Sequence, residues 1–495
     1  MIKKLLLLSI GIGCMLTIEA QTKSWKRGAC MSNVRDADFE ALQPGLTWFY
    51  DWGNIPSSIG ISASDARNIE YCPMRWGDSW NPDAIRNYVN IHPNCKYLLT
   101  FNEPNFKDQA NLTPQQAAAR WPEIKALANE LNLKIISPGV NYSPWTEWGT
   151  PKKWLDAFFE LVPIDDVDGI ALHCYMGWSS ALTGYVKEYI NYYNKPIWLT
   201  EFCAWDDRWG TPTEEMKKIQ REYLVDTFDF LETEPMVARY AWFMAKTSEN
   251  NANPAFPWMQ LLNGHNGVLT ENGKIFNYMS SYDDDFYHNT NSRIQANHYI
   301  RMRGIHLEET NDTDGIINVY DFNAGDFLEY NVEAPTEGMY YFFIRHSNSA
   351  IAEIDLQVDR NAPVMITLPA TANNVWATQK YNIDLDAGKH KVRLTCKSGA
   401  SVRINWLNIT TDANAETTGV EPVEYNKITV YPNPAADRIT ISGDVAQVDI
   451  YSLLNQWILS DNNNEINISH LNKGLYLVIV TDTSGKKSAM KIVKK

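Results

Sequence analysis

The chain has 495 residues, which suggests roughly three domains at about 150 residues each. It carries 44 lysines and arginines against 59 aspartates and glutamates, and this net charge of −15 argues against binding to nucleic acid or anionic membranes through charge alone. Ordinary glycine and proline contents exclude a fibrous or disordered chain. Aromatic residues are unusually frequent, and fifteen of the 18 tryptophans precede residue 280.

The N-terminus predicts a removable signal peptide over residues 1–20. Lys3 and Lys4 precede an apolar run of about 12 residues, which is too short to span a bilayer. Cys14 leaves a lipoprotein signal as the alternative, but Gly11 stands where that signal requires a branched apolar residue. No later stretch reaches about 18 consecutive apolar residues, so no transmembrane helix is expected.

Six cysteines follow the predicted signal peptide: Cys30, Cys72, Cys95, Cys174, Cys203 and Cys396. Their spacing fits no zinc motif, and disulfide pairing does not follow from spacing alone. Because five belong to the first predicted domain and one to the second, at least one is expected to be a buried free thiol.

Residues 21–279 alternate short apolar runs with amphipathic stretches. The apolar runs predict eight β-strands, near Lys26–Cys30, Leu46–Tyr50, Ile69–Met74, Tyr97–Asn102, Lys134–Ser137, Val167–His173, Pro196–Glu201 and Val237–Phe243. Between them, the apolar spacing of Pro114–Asn132 and Glu214–Glu232 predicts helices, the first capped by Thr113. Eight alternations of strand and helix predict an α/β fold, a (β/α)8 TIM barrel. A doubly wound sheet is the alternative, but no glycine-rich phosphate turn follows the first strand.

The pattern changes after the acidic run Asp283–Asp285. Residues 283–411 contain alternating apolar and polar runs separated by glycine and asparagine turns, which predicts an all-β sandwich of the jelly-roll type. Residues 412–424 are polar without apolar periodicity and are predicted to be a linker. Residues 425–495 again predict short strands, in a small C-terminal β domain.

Two glutamates stand at the ends of predicted barrel strands. Glu103 follows Asn102 at the end of strand four, and Glu201 ends strand seven. Because barrel enzymes carry their working side chains at the carboxyl ends of the strands, both carboxylates are expected in one cleft. A pair of carboxylates is the machinery of glycoside hydrolysis, so the sequence predicts Glu103 and Glu201 as catalytic residues.

Other side chains at the same strand ends are predicted to contact substrate or to orient a carboxylate. His173 and Tyr175 end strand six, and Trp242 ends strand eight as an expected apolar floor for a sugar ring. Aromatic residues on the loops after the strands are expected to line the cleft: Trp48, Trp52, Trp76, Trp178, Trp205 and Trp209. No second histidine lies at ligand spacing from His173, so no metal is expected at this site.

The motifs of this region resemble those of glycoside hydrolase family 128. They are Phe101-Asn102-Glu103-Pro104-Asn105, His173-x-Tyr175, Pro196–Phe202, Arg239–Phe243 and Gly267-x-Leu269-Thr270. The resemblance implies a secreted retaining endo-β-1,3-glucanase acting on laminarin- or curdlan-type glucan, with no cofactor for catalysis. It implies Glu103 as acid/base, Glu201 as nucleophile, and Asn102 as a contact of the sugar 2-hydroxyl.

The sandwich resembles carbohydrate-binding module family 6, through Ile294-Gln295-Ala296, Gly325–Val332, Gly388-Lys389-His390 and Ile404-Asn405-Trp406. The resemblance implies sugar binding by Trp376 and Asn405, with Tyr320 beside the usual tyrosine position, which Asp321 occupies. It also implies a structural calcium ion, with Asn297 at a position where an acidic ligand is common.

The C-terminal region resembles the type A sorting domain of type IX secretion, through Val430–Pro434, Val448–Tyr451, Gly474–Val478 and the final Lys-Ile-Val-Lys-Lys. The partners implied are β-glucan and the type IX secretion machinery, and the protein is expected outside the cytoplasm or at the cell surface. Two other functions stay open: hydrolysis of a β-1,4-glucan or mannan by a relative of the same clan, and non-catalytic glycan binding at the cell surface.

Overall fold

The computed structural model describes residues 21–205, 213–246, 258–264, 267–372, 374–399, 401–416, 430–441, 445–452, 457–481 and 487–495. The predicted signal peptide, Trp209 and most of the predicted linker lie outside these residues. The chain forms two compact units, one reaching Glu416 and one beginning at Thr417. The first unit contains both the N-terminal α/β domain and the predicted sandwich.

Short, largely buried strands form the centre of the α/β domain. They are β1 (Arg27–Cys30), β2 (Trp48–Tyr50), β3 (Glu70–Tyr71), β4 (Met74–Arg75), β5 (Tyr97–Asn102), β6 (Lys134–Gly139), β7 (Ile170–Cys174), β8 (Ile197–Phe202) and β9 (Val237–Trp242). Near-continuous apolar runs such as those of β5 and β8 are typical of parallel strands that are covered on both faces. The strand predicted at Tyr97–Asn102 is confirmed at both ends.

Helices follow most of these strands. They are α1 (Asp36–Leu42), α2 (Ser58–Asp65), α3 (Pro82–Ile91), α4 (Pro114–Leu131), α5 (Pro151–Phe159), α6 (Ser179–Tyr193), α7 (Glu214–Thr233) and α8 (Glu271–Tyr278), with a 3-10 turn at Ile164–Asp166. The predicted cap of α4 is confirmed, because the Thr113 hydroxyl accepts from the Gln116 amide and the Gln116 side chain accepts from the Thr113 amide. Asn132 ends α4 in the left-handed region, a conformation that asparagine tolerates.

The strands of the α/β domain pair in parallel within two sheets. One has the order β3-β2-β1-β9-β8-β7 and the other β4-β5-β6. Cys72 and Pro73 separate β3 from β4, where proline supplies no amide proton to the ladder. Isolated parallel bridges between residues 136 and 169 and between 140 and 172 join the region of β6 to that of β7. The carboxyl ends of β5, β7, β8 and β9 therefore belong to one connected set of parallel strands.

The sandwich is built from two sheets of mainly antiparallel strands. Its strands are β10 (His288–Asn289), β11 (Arg293–Gln295), β12 (Arg301–Arg303), β13 (His306–Glu309), β14 (Ile317–Phe322), β15 (Phe327–Ala334), β16 (Gly338–Ser347), β17 (Ala352–Val358), β18 (Val364–Leu368), β19 (Ala377–Leu385), β20 (Gly388–Ser398) and β21 (Val402–Thr410). One sheet has the order β10-β15-β20-β17-β18 and the other β13-β14-β21-β16-β19. Strand β13 packs against α7 and α8, so the sandwich and the α/β domain share one buried apolar cluster.

The second unit has its own small core. Its strands are β22 (Val430–Tyr431), β23 (Arg438–Ile441), β24 (Gln447–Ser452), β25 (Trp457–Asp461), β26 (Glu465–Asn467), β27 (Gly474–Thr481) and β28 (Lys487–Lys494). They form the sheets β22-β23-β26 and β25-β24-β27-β28, and Ile439, Ile450 and Val478 are buried among them.

All six cysteines named above are buried free thiols in the structure, which confirms the expectation of at least one. Among the residues that the structure describes, no helix is long and apolar enough to cross a membrane.

A buried ion pair joins the first strand of the α/β domain to α7. The Arg27 guanidinium lies 2.9 Å from Glu232, and the two side chains are only 3% and 2% exposed. Arg27 also donates to the carbonyl oxygens of Phe276, Met279 and Ser280, which tie the end of α8 to β1. Breaking one partner of such a pair leaves an uncompensated buried charge.

We expect Glu232→Gln to lower the free energy of unfolding by about 3–5 kcal/mol, because the Arg27 charge would then be buried without its counterion. Denaturant unfolding followed by tryptophan fluorescence measures this change. The matched control is Asp165→Asn, which removes an ion pair between Lys195 and a 92% exposed carboxylate and should leave unfolding unchanged. Equal effects of the two substitutions would contradict a structural role for the buried pair.

Candidate active site

Glu103 and Glu201 converge at the carboxyl ends of their strands, as predicted. Glu201 is the fifth residue of β8, and Glu103 directly follows β5 with a φ of +42°, in the left-handed region. The Glu201 side chain is 6% exposed and the Glu103 side chain 11%. A carboxylate oxygen of Glu201 lies within 4.8 Å of a carboxylate oxygen of Glu103. A non-glycine residue in this backbone region persists only where its surroundings fix it, and such positions cluster at functional sites.

Three aromatic side chains hold the Glu201 carboxylate. Oε1 accepts from the Tyr50 hydroxyl (3.0 Å) and the Trp52 indole nitrogen (2.8 Å), while Oε2 accepts from the Tyr175 hydroxyl (2.5 Å). Because each carboxylate oxygen has at least one donor, these three hydrogen bonds fix the rotamer of Glu201. Burial raises the pKa of both tyrosines well above the ordinary value, so they remain protonated donors.

The Glu103 carboxylate has a different environment. Its Oε1 accepts from His173 Nδ1 (2.9 Å) and from Asn141 Nδ2 (3.2 Å). Burial alone would raise the pKa of Glu103, but the hydrogen bond and charge of His173, helped by Asn141, lower it below the ordinary value. Glu201 is thus bound by groups that keep their protons, whereas Glu103 is bound by a histidine that can exchange a proton.

His173 lies between the two carboxylates. Its Nδ1 is 2.9 Å from Glu103 and 3.4 Å from Glu201, and its side chain is fully buried. Burial would lower the pKa of His173, but the charges of Glu201 and Glu103 raise it above 6.5. Gly139 allows this approach, since a Cβ there would lie 2.8 Å from His173 Nε2. His173 is therefore buried behind the cleft lining, with Nδ1 facing both carboxylates.

The two glutamates open into a cleft of about 530 Å³. Its lining residues are Trp52, Trp76, Asn102, Glu103, Phe106, Gln109, Asn141, Tyr175, Glu201, Trp205, Phe243 and Met244. Five of the predicted substrate contacts therefore lie where they were expected: Trp52, Trp76, Asn102, Tyr175 and Trp205. Asn102 donates to Gln109 (3.2 Å), and its side-chain oxygen is buried without a partner among the described residues.

The prediction for Trp242 is wrong. Its side chain is fully buried, its indole nitrogen donates to the carbonyl oxygen of Met259 (2.7 Å), and its ring packs against Phe202 and Phe228. Successive residues of a strand point to opposite faces, so the residue after Trp242 faces the cleft instead. That residue, Phe243, packs edge-on against Tyr175 at 5.3 Å between ring centroids.

Two further cleft predictions need correction. Trp48 is fully buried at the beginning of β2, away from the carboxyl ends of the strands, where it packs against Trp198 and fills the space that Gly28 leaves open. Trp178 is 74% exposed and borders a neighbouring depression with Met176 and Met216. Neither residue lines the cleft that holds the glutamates.

Sequence reasoning missed several residues of this site. Tyr50 and Asn141 bind the carboxylates directly, and Phe106, Gln109 and Met244 line the cleft. Tyr50 was visible as the last residue of a predicted strand, the position from which barrel side chains reach a site. Asn141 lies in the loop after β6, beyond Gly139, the last residue of that strand. No signal in the sequence distinguishes it from other loop residues.

The sandwich does not assemble the predicted sugar contacts on an open face. Tyr320 is only 5% exposed, and its hydroxyl donates to Glu222 of α7 (2.9 Å), so it belongs to the contact with the α/β domain. Asn405 is fully buried, and its amide nitrogen donates to Asp312 (2.9 Å) and to the carbonyl oxygen of Asp314 (2.7 Å). Trp376 is half-buried and donates to Asn311 (2.7 Å), which leaves it as the one member of the predicted trio with exposed surface.

Asn297, the residue at the implied calcium position, makes a hydrogen bond within the fold. Asn297 is 3% exposed, and its amide nitrogen donates to the carbonyl oxygen of Tyr278. Calcium takes six to eight oxygen ligands, which can be carboxylates, carbonyl groups or water. In the described part of the chain, neither group of three metal-ligating side chains includes a neighbour of Asn297.

Comparisons with known families agree with this division of the chain. The family model "Glycosyl hydrolase catalytic core" matches residues 28–276, about half of the chain. The model "Carbohydrate binding module (family 6)" matches residues 295–411, and the model "Secretion system C-terminal sorting domain" matches residues 429–495.

Solved structures with similar sequences are endo-β-1,3-glucanases of glycoside hydrolase family 128, subgroup II. The enzyme from Pseudomonas viridiflava is 32% identical and covers 52% of this chain and 98% of its own, with a TM-score of 0.44. The enzyme from Sorangium cellulosum is also 32% identical and covers 51% of this chain and 97% of its own, with a TM-score of 0.45.

A curated relative is the clotting factor G alpha subunit of Tachypleus tridentatus, 30% identical over 122 residues. The match covers 24% of this chain and spans only 18% of that protein's length.

The chain belongs to the glycosyl hydrolase catalytic-core family, and its paired glutamates lie in the cleft of that core. The resemblances to glycoside hydrolase family 128, to carbohydrate-binding module family 6 and to the type IX sorting domain are confirmed. The sorting domain and the binding module identify an exported protein, secreted or retained at the cell surface.

We expect Trp52→Phe to lower turnover of a glycan substrate about 10- to 100-fold, because it keeps an aromatic ring but removes one hydrogen bond to the Glu201 carboxylate. Trp178→Phe is the matched control, since Trp178 lies outside the cleft, and should leave turnover unchanged. Steady-state kinetics of the two variants on the same oligosaccharide measure the difference. A larger loss for Trp178→Phe would contradict the assignment of the cleft.

Proposed function

We propose that this protein is a retaining endo-β-1,3-glucanase that cleaves laminarin- or curdlan-type glucan by double displacement. The observation that carries the proposal is the pair of buried carboxylates with oxygens within 4.8 Å, in a cleft open enough for a polysaccharide. Retaining glycosidases have their carboxyl groups about 5–5.5 Å apart, whereas inverting ones leave about 6.5–9.5 Å for a water molecule. The short separation favours direct attack by one glutamate.

The hydrogen-bond partners support Glu201 as the nucleophile. A nucleophilic carboxylate must stay ionised and aim one oxygen at the anomeric carbon. Tyr50, Trp52 and Tyr175 are donors that keep their protons, so they favour the ionised form and restrict its rotation. In this mechanism Glu201 forms the covalent glycosyl intermediate while the leaving oxygen takes a proton from the other glutamate.

Glu103 is then the acid/base. It must deliver a proton to the leaving group and take one from water in the second step. The lowered pKa of Glu103 and the raised pKa of His173 place the proton of their 2.9 Å hydrogen bond on the imidazole. We infer that this proton passes to Glu103 as the glycosidic oxygen approaches, so the two groups titrate as a unit.

The substrate class rests on the aromatic lining and on sequence similarity. Trp52, Trp76, Trp205 and Phe243 supply flat apolar faces of the kind that complement sugar rings. The 32% identical family 128 structures are described as endo-β-1,3-glucanases, which favours the same linkage here. Asn102, adjacent to Glu103 and with a free side-chain oxygen, is our candidate contact for the sugar 2-hydroxyl.

We infer that the parallel strands close into one eight-stranded barrel. The sheet order β3-β2-β1-β9-β8-β7, the sheet β4-β5-β6 and the bridges at residues 136–169 and 140–172 support this closure. Strands β3 and β4 would then be one strand interrupted at Pro73. We further propose residues 1–20 as a signal peptide and residues 425–495 as the sorting region, with 412–424 as the linker before it.

A panel of linear β-1,3-glucan, β-1,4-glucan and β-mannan with chromatography of the products tests the substrate. We expect internal cleavage of the β-1,3-glucan into a ladder of oligosaccharides and no cleavage of the others. Cleavage of β-1,4-linked substrates alone would identify a clan relative with another specificity, and binding without cleavage would identify a glycan-binding protein.

Glu201→Gln should fold normally and lose turnover by at least 10⁴-fold, roughly the scale of covalent catalysis, because an amide cannot form the glycosyl ester. Activity on β-1,3-oligosaccharides, with circular dichroism as the check of folding, measures this. The control is Glu147→Gln, an exposed carboxylate outside the cleft, which should keep full activity. Substantial residual turnover in Glu201→Gln would overturn the nucleophile assignment.

Glu103→Ala should lose most activity on oligosaccharides but retain more on aryl glycosides with good leaving groups, since these leave without protonation. Added azide should restore turnover and yield a β-glycosyl azide, because a small anion can attack the intermediate without a general base. Loss on aryl glycosides as complete as that of Glu201→Gln, without rescue, would contradict the acid/base role.

His173→Leu should move the basic limb of the pH profile of kcat/KM to lower pH. In the wild-type protein the catalytic proton is retained until the pH rises through the raised pKa of His173, above 6.5. Without the imidazole, Glu103 alone must retain that proton, and a carboxyl group loses it at lower pH. An unchanged basic limb, or a shift to higher pH, would show that His173 does not share the proton.

A further inference from the structure

A cluster of metal-ligating side chains, separate from the pair of glutamates in the cleft, lies where α7 of the α/β domain meets the sandwich. It combines Glu222 of α7 with His306 of β13 and Asp321 of β14. One ligand atom from each lies within 4.8 Å of the other two, and the three side chains are 20–25% exposed, so the site is accessible to ions from solvent.

The spacing around His306 is unusual for a hydrogen-bonded histidine. Its Nδ1 lies 3.5 Å from Asp321 and 4.0 Å from Glu222, both too long for a hydrogen bond, and this buried atom has no partner among the described residues. A metal ion at about 2.1 Å from each ligand keeps the ligand atoms about 3–3.5 Å apart. The 3.5 Å separation of Nδ1 from Asp321 fits this spacing, whereas Glu222, at 4.0 Å, would have to move closer to bind the same ion.

The other groups of the cluster are arranged to leave Nδ1 as an acceptor. His306 Nε2 faces Asp226 Oδ1 at 3.3 Å, and the second oxygen of Asp226 accepts from Ser179 (2.9 Å). A carboxylate on one imidazole nitrogen fixes the tautomer in which the other nitrogen is free to bind a metal. Asp321 is oriented in a comparable way, since its Oδ1 accepts from Ser401 while Oδ2 faces His306.

The local charge also favours a cation. Three carboxylates face the imidazole, since Asp226, Asp321 and Glu222 lie 3.3, 3.5 and 4.0 Å from its nitrogens. Lys218 lies 3.5 Å from Glu222 and Tyr320 donates to the same oxygen, so Glu222 is partly neutralised, whereas Asp321 faces His306.

We propose that Glu222, His306 and Asp321 bind a divalent transition-metal ion of the zinc class, with water completing the coordination. A nitrogen ligand with two carboxylates suits zinc better than calcium or magnesium, which prefer oxygen alone. The ion would join α7 to β13 and β14 and so fix the sandwich against the catalytic domain. The role is structural and is independent of the proposed hydrolysis.

Zinc binding to the full mature chain tests the proposal. The experiment uses the Glu201→Gln background, because Glu103, His173 and Glu201 form the other three-ligand group in the described residues and this substitution disables it. After dialysis against a chelator, calorimetric titration with zinc chloride and elemental analysis after gel filtration should give one zinc per chain. The unfolding temperature should rise with zinc and fall back with chelator.

Substitutions assign the bound ion to the cluster. Adding His306→Gln should weaken zinc binding at least 100-fold, and adding Asp226→Asn should weaken it about 10- to 100-fold, as expected for loss of a ligand and of its orienting partner. The control is His390→Gln, which removes a histidine whose two nitrogens are both hydrogen-bonded, and it should leave zinc binding unchanged.

If His306→Gln fails to fold, Asp321→Asn provides the same test, because asparagine tolerates the positive φ of +54° at this position. No binding of zinc at micromolar concentrations, or binding that neither variant weakens, would overturn the proposal. In that case His306 would be an ordinary protonated partner of the surrounding carboxylates.

Discussion

Two buried carboxylates with oxygens within 4.8 Å of one another repel strongly when both are ionised, and the hydrogen bonds around them offset that repulsion. The offset comes from two unlike sets of donors. Hydroxyl and indole groups that keep their protons surround Glu201, whereas Glu103 has an amide and an imidazole. The difference in donors gives two chemically identical side chains different surroundings, and the proposed division of roles rests on that difference.

Strand geometry explains how much of this site could be predicted from the sequence. The carboxyl ends of parallel strands meet at one edge, so an apolar run ending in glutamate was enough to identify Glu103 and Glu201. The same rule selects the wrong residue at Trp242, where the next residue, Phe243, lines the cleft. Neighbouring residues of a strand face opposite ways, and the apolar sequence Val237–Phe243 does not show at which residue the strand ends. The rule fails at Trp48 because a large ring at the beginning of a strand fills the core beside Gly28.

The sandwich shows a different limit of sequence reasoning. Its strands and its family were recognisable from alternation and motifs, but those signals carry no information about which face another domain covers. Tyr320 is therefore buried against α7, although the family pattern suggested a sugar contact. Asn405 is likewise used within the fold, where it fixes the loop of Asp312 and Asp314. The contact between the sandwich and the α/β domain uses polar and charged residues. When each domain is interpreted by itself, such residues are expected to face solvent or to bind a ligand.

The stereochemistry of hydrolysis tests the central claim most directly, because the separation of Glu103 and Glu201 determines whether water or a carboxylate attacks the anomeric carbon. Proton nuclear magnetic resonance of a β-1,3-oligosaccharide, recorded in the first minutes of reaction with the full mature chain, identifies the anomer released before mutarotation. Attack by Glu201 followed by water inverts the centre twice, so the account predicts the β anomer. Release of the α anomer would contradict it and would require a water molecule between the two glutamates.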